Sequence, residues 1–183
     1  TRQATLFPYT TLFRSENGDF IFVKDLSDMG QAIQASTGNY SHVAIFLDGF
    51  IYHASGQAGV ICQEPAEFFE PTHLYDLYVY PELEVDLVKE RASKHLGAPY
   101  NASFYPDGSG FYCSQYIAEI LPIFKTIPMK FGDGEQEISD FWREYYRKLE
   151  LPVPLNQPGT NPSQLAASPL LECKERNLHD SDF

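Results

Sequence analysis

The segment SHVAIFLDGFIYHA, residues 41–54, leaves this chain few ways to fold. Two apolar runs flank Asp48-Gly49, and an Asp-Gly pair in that setting predicts a two-residue type I′ turn. Both central residues of such a turn take a positive φ, which Gly adopts freely and Asp tolerates. Closing the turn on Leu47 and Phe50 pairs Phe46 with Ile51, Ile45 with Tyr52 and Ala44 with His53. Side chains alternate between faces, so His42, two residues before Ala44, shares a face with His53 and is its diagonal neighbour. Diagonal Cα atoms lie about 7–8 Å apart, within reach of a hydrogen bond between two imidazoles. A slip of one residue would separate the two rings, so the pairing depends on the turn.

The rest of the chain builds around this hairpin. GDFIFVK (18–24) and HLYDLYVY (73–80) read as strands, as does GVICQ (59–63). Leu26, Met29 and Ile33 mark a short helix ending near Gly38, and EPAEFFE marks another with Pro65 in its first turn. Val85, Val88, Ala92 and Leu96 form a helical stripe that stops at Gly97. A further helix follows in GFYCSQYIAEIL (110–121), bounded by Pro122, and a last one carries Ile138, Phe141, Trp142, Tyr145, Tyr146 and Leu149. The expected class is α+β, one domain over residues 16–155. Residues 1–15 read as a non-native or disordered segment, because TRQATLFPYTTLFRS has the look of translated sequencing-adapter read-through. Residues 156–183 read as an extension, partly disordered, with the final fourteen residues expected to be unstructured.

Charge excludes some functions. Thirteen Lys and Arg against 25 Asp and Glu give a formal charge of −12, which repels phosphate backbones and anionic head groups and argues against a nucleic-acid partner. No apolar run approaches the ~20 residues of a membrane span. Three scattered cysteines, Cys62, Cys113 and Cys173, make no disulfide scaffold and no C-x-x-C zinc pattern. The chain begins at Thr1 and reads as truncated; a leader or lipid-anchor cysteine ahead of it would place the protein in a bacterial cell envelope. Oligomeric state is not encoded in any pattern here.

Cys113 stands in the first turn of its helix, where backbone N–H groups and the helix dipole favour a thiolate. If that helix packs its N-terminus against the sheet face carrying His42, then Cys113 is a nucleophile, His42 its general base and His53 the group that orients the base. Each residue also has an ordinary reading: Cys113 as a small core residue, the histidines as satisfied strand residues. The three together are also a donor set that zinc accepts, although the hydrolytic reading requires no metal and no organic cofactor.

The order GDFIF, a helix, SHVAIFLDGFIYHASGQAGV, LGAPYNASF and FYCSQYIAEIL resembles the circularly permuted branch of the NlpC superfamily of papain-like cysteine hydrolases, the YiiX/YebB-like proteins, from about Asn17 to Ser168. The resemblance implies a permuted papain-like fold, an antiparallel sheet packed against a nucleophile-bearing helix. SHVAI matches the base-bearing strand at His42 and YCSQ the nucleophile segment at Cys113, where relatives usually read Cys-Ser-Glu, so Gln115 is a departure. His53 matches a third polar position that is often Glu in this branch. Tyr100 in GAPY matches a tyrosine near the active site, implying a cleft-lining or oxyanion role; packing on the core is the ordinary alternative. QPGTNPSQLAASP resembles a C-terminal segment of bacterial relatives that wraps the domain. The implied activity is a cysteine amidase or peptidase working through a thioester, on cell-wall peptides or another small peptide. Two alternatives are a lipid acyl-amide or ester hydrolase or acyltransferase, and a binding module without turnover.

Overall fold

The computed structural model of the chain describes residues 14–183. In chain order the elements that matter are β1 (Phe20–Lys24), α1 (Asp28–Thr37), β2 (His42–Leu47), β3 (Phe50–Ser55), β4 (Gly59–Gln63), α2 (Pro65–Phe68), β5 (Leu74–Val79) and α3 (Val85–Lys94). They continue with α4 (Cys113–Ile120), β6 (Ile127–Pro128), α5 (Asp140–Leu149), β7 (Pro158–Gly159), α6 (Pro162–Ala166) and β8 (Glu172–Leu178). Six strands form one antiparallel sheet in the order β4-β3-β2-β1-β5-β8.

The hairpin turn forms as the sequence predicts. Asp48 and Gly49 have φ of 49° and 89°, and Leu47 pairs with Phe50, Phe46 with Ile51 and Ile45 with Tyr52. This register sorts the sheet into two apolar faces. Phe20, Phe22, Val43, Ile45, Leu47, Tyr52 and Ala54 face the stripe of α4 formed by Cys113, Tyr116, Ile117 and Ile120. Ile21, Val23, Ala44, Phe46, Ile51 and Leu77 line the opposite face beneath Phe68 of α2. Tyr116, Ile117 and Ile120 are fully enclosed, each burial stabilising by roughly 1.5–3 kcal/mol. The Tyr116 hydroxyl donates to the Ala92 carbonyl at 3.1 Å, which ties α4 to α3. A third cluster joins α1 and α5 around Trp142, whose Nε1–H donates to Ser36 Oγ at 2.9 Å.

The C-terminal segment departs from expectation. Residues 172–178, expected to be unstructured, form β8 and pair along the free edge of β5. The sequence ECKERNL is polar enough to resemble a disordered tail, yet its backbone satisfies the edge of β5, and Leu178 inserts into the second core. Asp76, wholly buried, locks this end: its carboxylate accepts the Asn177 N–H at 2.7 Å and the Tyr40 hydroxyl at 2.5 Å, with Lys24 Nζ at 3.1 Å. In the segment around α6, Leu165 is buried in the main core. Of the segment expected to be non-native, residues 1–13 lie outside the described residues; Arg14 pairs with Glu175 at 3.3 Å and Ser15 is buried.

Candidate active site

Cys113 is the first residue of α4, following Tyr112, which caps the helix in an extended conformation. Gln115 reaches back from the first turn: its Oε1 accepts the Tyr112 N–H and an Asn101 Nδ2–H, each at 3.2 Å. The departure from Cys-Ser-Glu thus keeps the acceptor oxygen that closes the helix start and drops only its charge. The loop before the helix is held by a short ladder in which the Phe111 N–H donates to the Pro99 carbonyl at 3.0 Å and the Asn101 N–H to the Phe111 carbonyl at 3.1 Å. Tyr100 sits between these rungs, in a parallel bridge with Phe111.

The thiol opens onto a partly open cavity whose walls include Tyr100, Phe104, Tyr112, Met129 and Trp142, with Lys130 the one charged residue among them. Burial pushes the Cys113 thiol up to about 11, against the pull of the Val43, Ser114 and Cys113 N–H groups. Sequence reasoning expected a helix start to favour the thiolate; here desolvation outweighs the N–H groups, and the resting sulfur holds its proton at neutral pH. Burial likewise pushes the Tyr100 phenol well above its usual range, and the nearby Cys113 adds to the effect.

The two histidines meet as the hairpin register requires, His42 Nε2 lying 2.9 Å from His53 Nδ1. His53 Nε2 in turn lies 2.6 Å from Gln63 Oε1. The Phe68 ring covers the pair, with centroids 6.3 Å from His42 and 5.0 Å from His53. Burial, then the charges of His53 and His73, hold His42 well below the usual imidazole range. Burial also lowers His53, although its bond to Gln63 pulls the other way. Both rings are therefore neutral at pH 7.

The body of α4 does not lie over the face that carries the histidines. His42 pairs with Val23 and shares the row of Ala44, on the second face, whereas α4 covers Val43 and Ile45. The apolar stripe of α4 takes the fully apolar row, which leaves the histidine row to Phe68. Cys113 reaches β2 at its beginning, where the Val43 N–H bonds to its sulfur, one residue from His42. Cys113 and His42 thus flank one backbone residue at the end of the strand. Among the described residues no three or more His, Cys, Asp or Glu side chains gather into a group that could hold a metal ion.

Sequence reasoning missed Gln63 and most of the cavity wall. Gln63 follows Ile61, the partner of His53, by two residues on β4; a register for the β3–β4 hairpin would have revealed it, but SGQAG does not specify a turn as Asp-Gly does. Ile33, Met129 and Trp142 come from α1, the stretch near β6 and α5, and nothing local marks them as neighbours of Cys113.

A cysteine at the start of a helix packed on an antiparallel sheet, with a histidine borne by an adjoining strand, defines a papain-like thiol hydrolase. The order of these parts, histidine strand before cysteine helix, is the permuted one. Residues 14–173 match the family described as permuted papain-like amidase enzyme, YaeF/YiiX, C92 family, and the chain belongs to it. Among solved structures, the chain is similar to YiiX from Escherichia coli O157:H7, described as a metalloprotein, with a TM-score of 0.74 and 20% identity over 88% of this chain and 97% of that one. That likeness speaks to the fold. No curated protein matches this chain.

Proposed function

We propose that this amidase cleaves its substrate through a thioester on Cys113, with His42 as general base and acid and His53 as the group that holds His42. In the attack, the Cys113 sulfur bonds to the carbonyl carbon while its proton passes to His42. The oxyanion is met by backbone N–H groups at the start of α4, that of Cys113 included. His42 returns the proton to the departing nitrogen, the C–N bond breaks, and the acyl group remains on sulfur. Water, deprotonated by His42, then releases a carboxylic acid and restores the thiol. Tyr100 lines the cleft beside the reacting sulfur. The observation that carries this reading is the juxtaposition of a cavity-facing cysteine at a helix start with the hydrogen-bonded histidine pair on the other side of Val43. No step calls for a metal, and the metalloprotein description stays with the Escherichia coli protein.

The cavity supports an apolar acyl group over a charged peptide. A cell-wall peptide carries ionised termini and side chains that need charged partners, and Lys130 alone among the lining residues offers one. Aromatic and aliphatic walls suit an acyl chain. The test compares a decanoyl 4-nitroanilide with a 4-nitroanilide of an acidic dipeptide, in wild type and in Cys113→Ala. Faster cleavage of the acyl anilide, lost in Cys113→Ala, is expected. Preferential cleavage of the acidic peptide would return the cell-wall reading to first place, and binding without Cys113-dependent cleavage would favour a module without turnover.

A further inference from the structure

We propose that Gln63 is a positioning residue that fixes the tautomers of both histidines and so leaves His42 Nδ1, the ring nitrogen not engaged by His53, unprotonated; this rests on His42 being the base. An amide oxygen can only accept, so the 2.6 Å contact from His53 Nε2 to Gln63 Oε1 requires the proton on His53 Nε2. A neutral His53 then presents a lone pair at Nδ1. The 2.9 Å contact across to His42 Nε2 requires the second proton to sit on His42 Nε2. His42 Nδ1 is left with a lone pair, which is what a base facing a protonated thiol needs. The opposite order, with the Gln63 amide turned to donate, would place protons on both Nδ1 atoms and leave His42 unable to take one from sulfur. The choice made at Gln63 is thus transmitted through two rings to the nucleophile.

Burial supports a single neutral arrangement. His53 is 7% exposed and packs edge-on against the Phe68 ring, so water has little access to the His53 end of the pair. The other titratable group whose charge bears on His42 is His73, just ahead of β5. No carboxylate contacts either ring through a hydrogen bond or ion pair among the described residues. A neutral acceptor at position 63 therefore orders the protons while favouring the imidazolium less than burial disfavours it, in keeping with a site whose resting sulfur is a thiol.

Long-range ¹H–¹⁵N correlation spectra of the histidine rings test this on the resting protein, independent of turnover. In wild type, both His42 and His53 should show protonated Nε2 and unprotonated Nδ1. Gln63→Leu should lose that pattern in favour of mixed tautomers, and lower kcat by roughly 10- to 100-fold with KM little changed, below the 10²–10⁴ that a whole general base supplies. Gln63→Glu, which keeps an acceptor, should keep the wild-type tautomers while moving His53 protonation to higher pH. Nδ1-protonated rings in wild type, or tautomers unmoved in a folded Gln63→Leu, would overturn the proposal. A protein that shows the expected tautomers yet hydrolyses without Cys113 would leave Gln63 in place and refute the nucleophile assignment instead.

Discussion

Replacing Gly110 by alanine should damage both stability and activity, through a backbone contact three residues before Cys113. Gly110 has a φ of +80°, and a Cβ there would overlap the Pro99 carbonyl oxygen, the acceptor of the Phe111 N–H. A residue with a Cβ in the left-handed region costs about 1–2 kcal/mol. Displacing the Pro99 carbonyl loses a further hydrogen bond, about 1 kcal/mol, with some residual strain. The sum is about 2–4 kcal/mol, which for a domain of this size lowers Tm by roughly 4–16 °C. Gly134→Ala is the matched control, since Gly134 has a φ of +92° but nothing within 4 Å of the position a Cβ would take; it should cost only the ~1–2 kcal/mol of the backbone conformation. Thermal and urea unfolding measure the difference. The Pro99–Phe111 ladder also sets where Tyr100 and Cys113 stand, and a shift of about 1 Å at a reacting group can cost 10²-fold in rate. Gly110→Ala should therefore lose activity while Gly134→Ala keeps it. Equal Tm values for the two variants, or full activity in Gly110→Ala, would refute the argument.

The pH dependence of kcat/KM should show a broad plateau. His42 accepts a proton only when neutral, and because burial holds it below the usual 6.5, activity should persist below pH 6.5 and fall only on further acidification. On the alkaline side, with the thiol at about 11, the plateau should extend to about pH 10; an alkaline fall near pH 8–9 would instead indicate a preformed thiolate–imidazolium pair. Asp76→Asn should destabilise the protein by about 3 kcal/mol, since it removes a buried charge that holds Lys24 and the Asn177 end of β8. Hydrogen exchange should show β8 loosened first. Burial raises the Asp76 carboxyl, but bonds from Tyr40, Asn177 and Lys24 more than reverse this and leave it below its ordinary 3.8. Its contribution is therefore present above about pH 4 and lost as pH falls through the folded-state value, so the gap between wild type and Asp76→Asn should close in acid, which denaturant titrations at several pH values would measure.

The hairpin was legible because everything that determines it is local. Asp48-Gly49 fixes the turn, alternation fixes the faces, and the meeting of His42 with His53 follows from geometry alone. The start of α4 was legible for the same reason, with an apolar stripe opening at Cys113 and Pro122 closing it. What failed was long-range. Which face α4 covers depends on the match between its stripe and the row of Val43 and Ile45, and no feature within α4 declares that match. The residues of β8 look like a solvated tail because both faces are polar; a free edge on β5 and a buried Asp76 a hundred residues away make them a strand. The thiol's ionisation was misjudged because a helix start argues for a thiolate only where the sulfur stays hydrated, and here Tyr100, Tyr112 and Trp142 help to enclose it.

The decisive measurement is the mass of the protein quenched in acid during turnover of 4-nitrophenyl decanoate, followed by peptide mapping. A decanoyl adduct on the peptide bearing Cys113, absent from Cys113→Ala and discharged by water in wild type, is the predicted result. Turnover without any adduct at Cys113, or an adduct on Cys62 or Cys173 in its place, would contradict the assignment of Cys113 as the nucleophile.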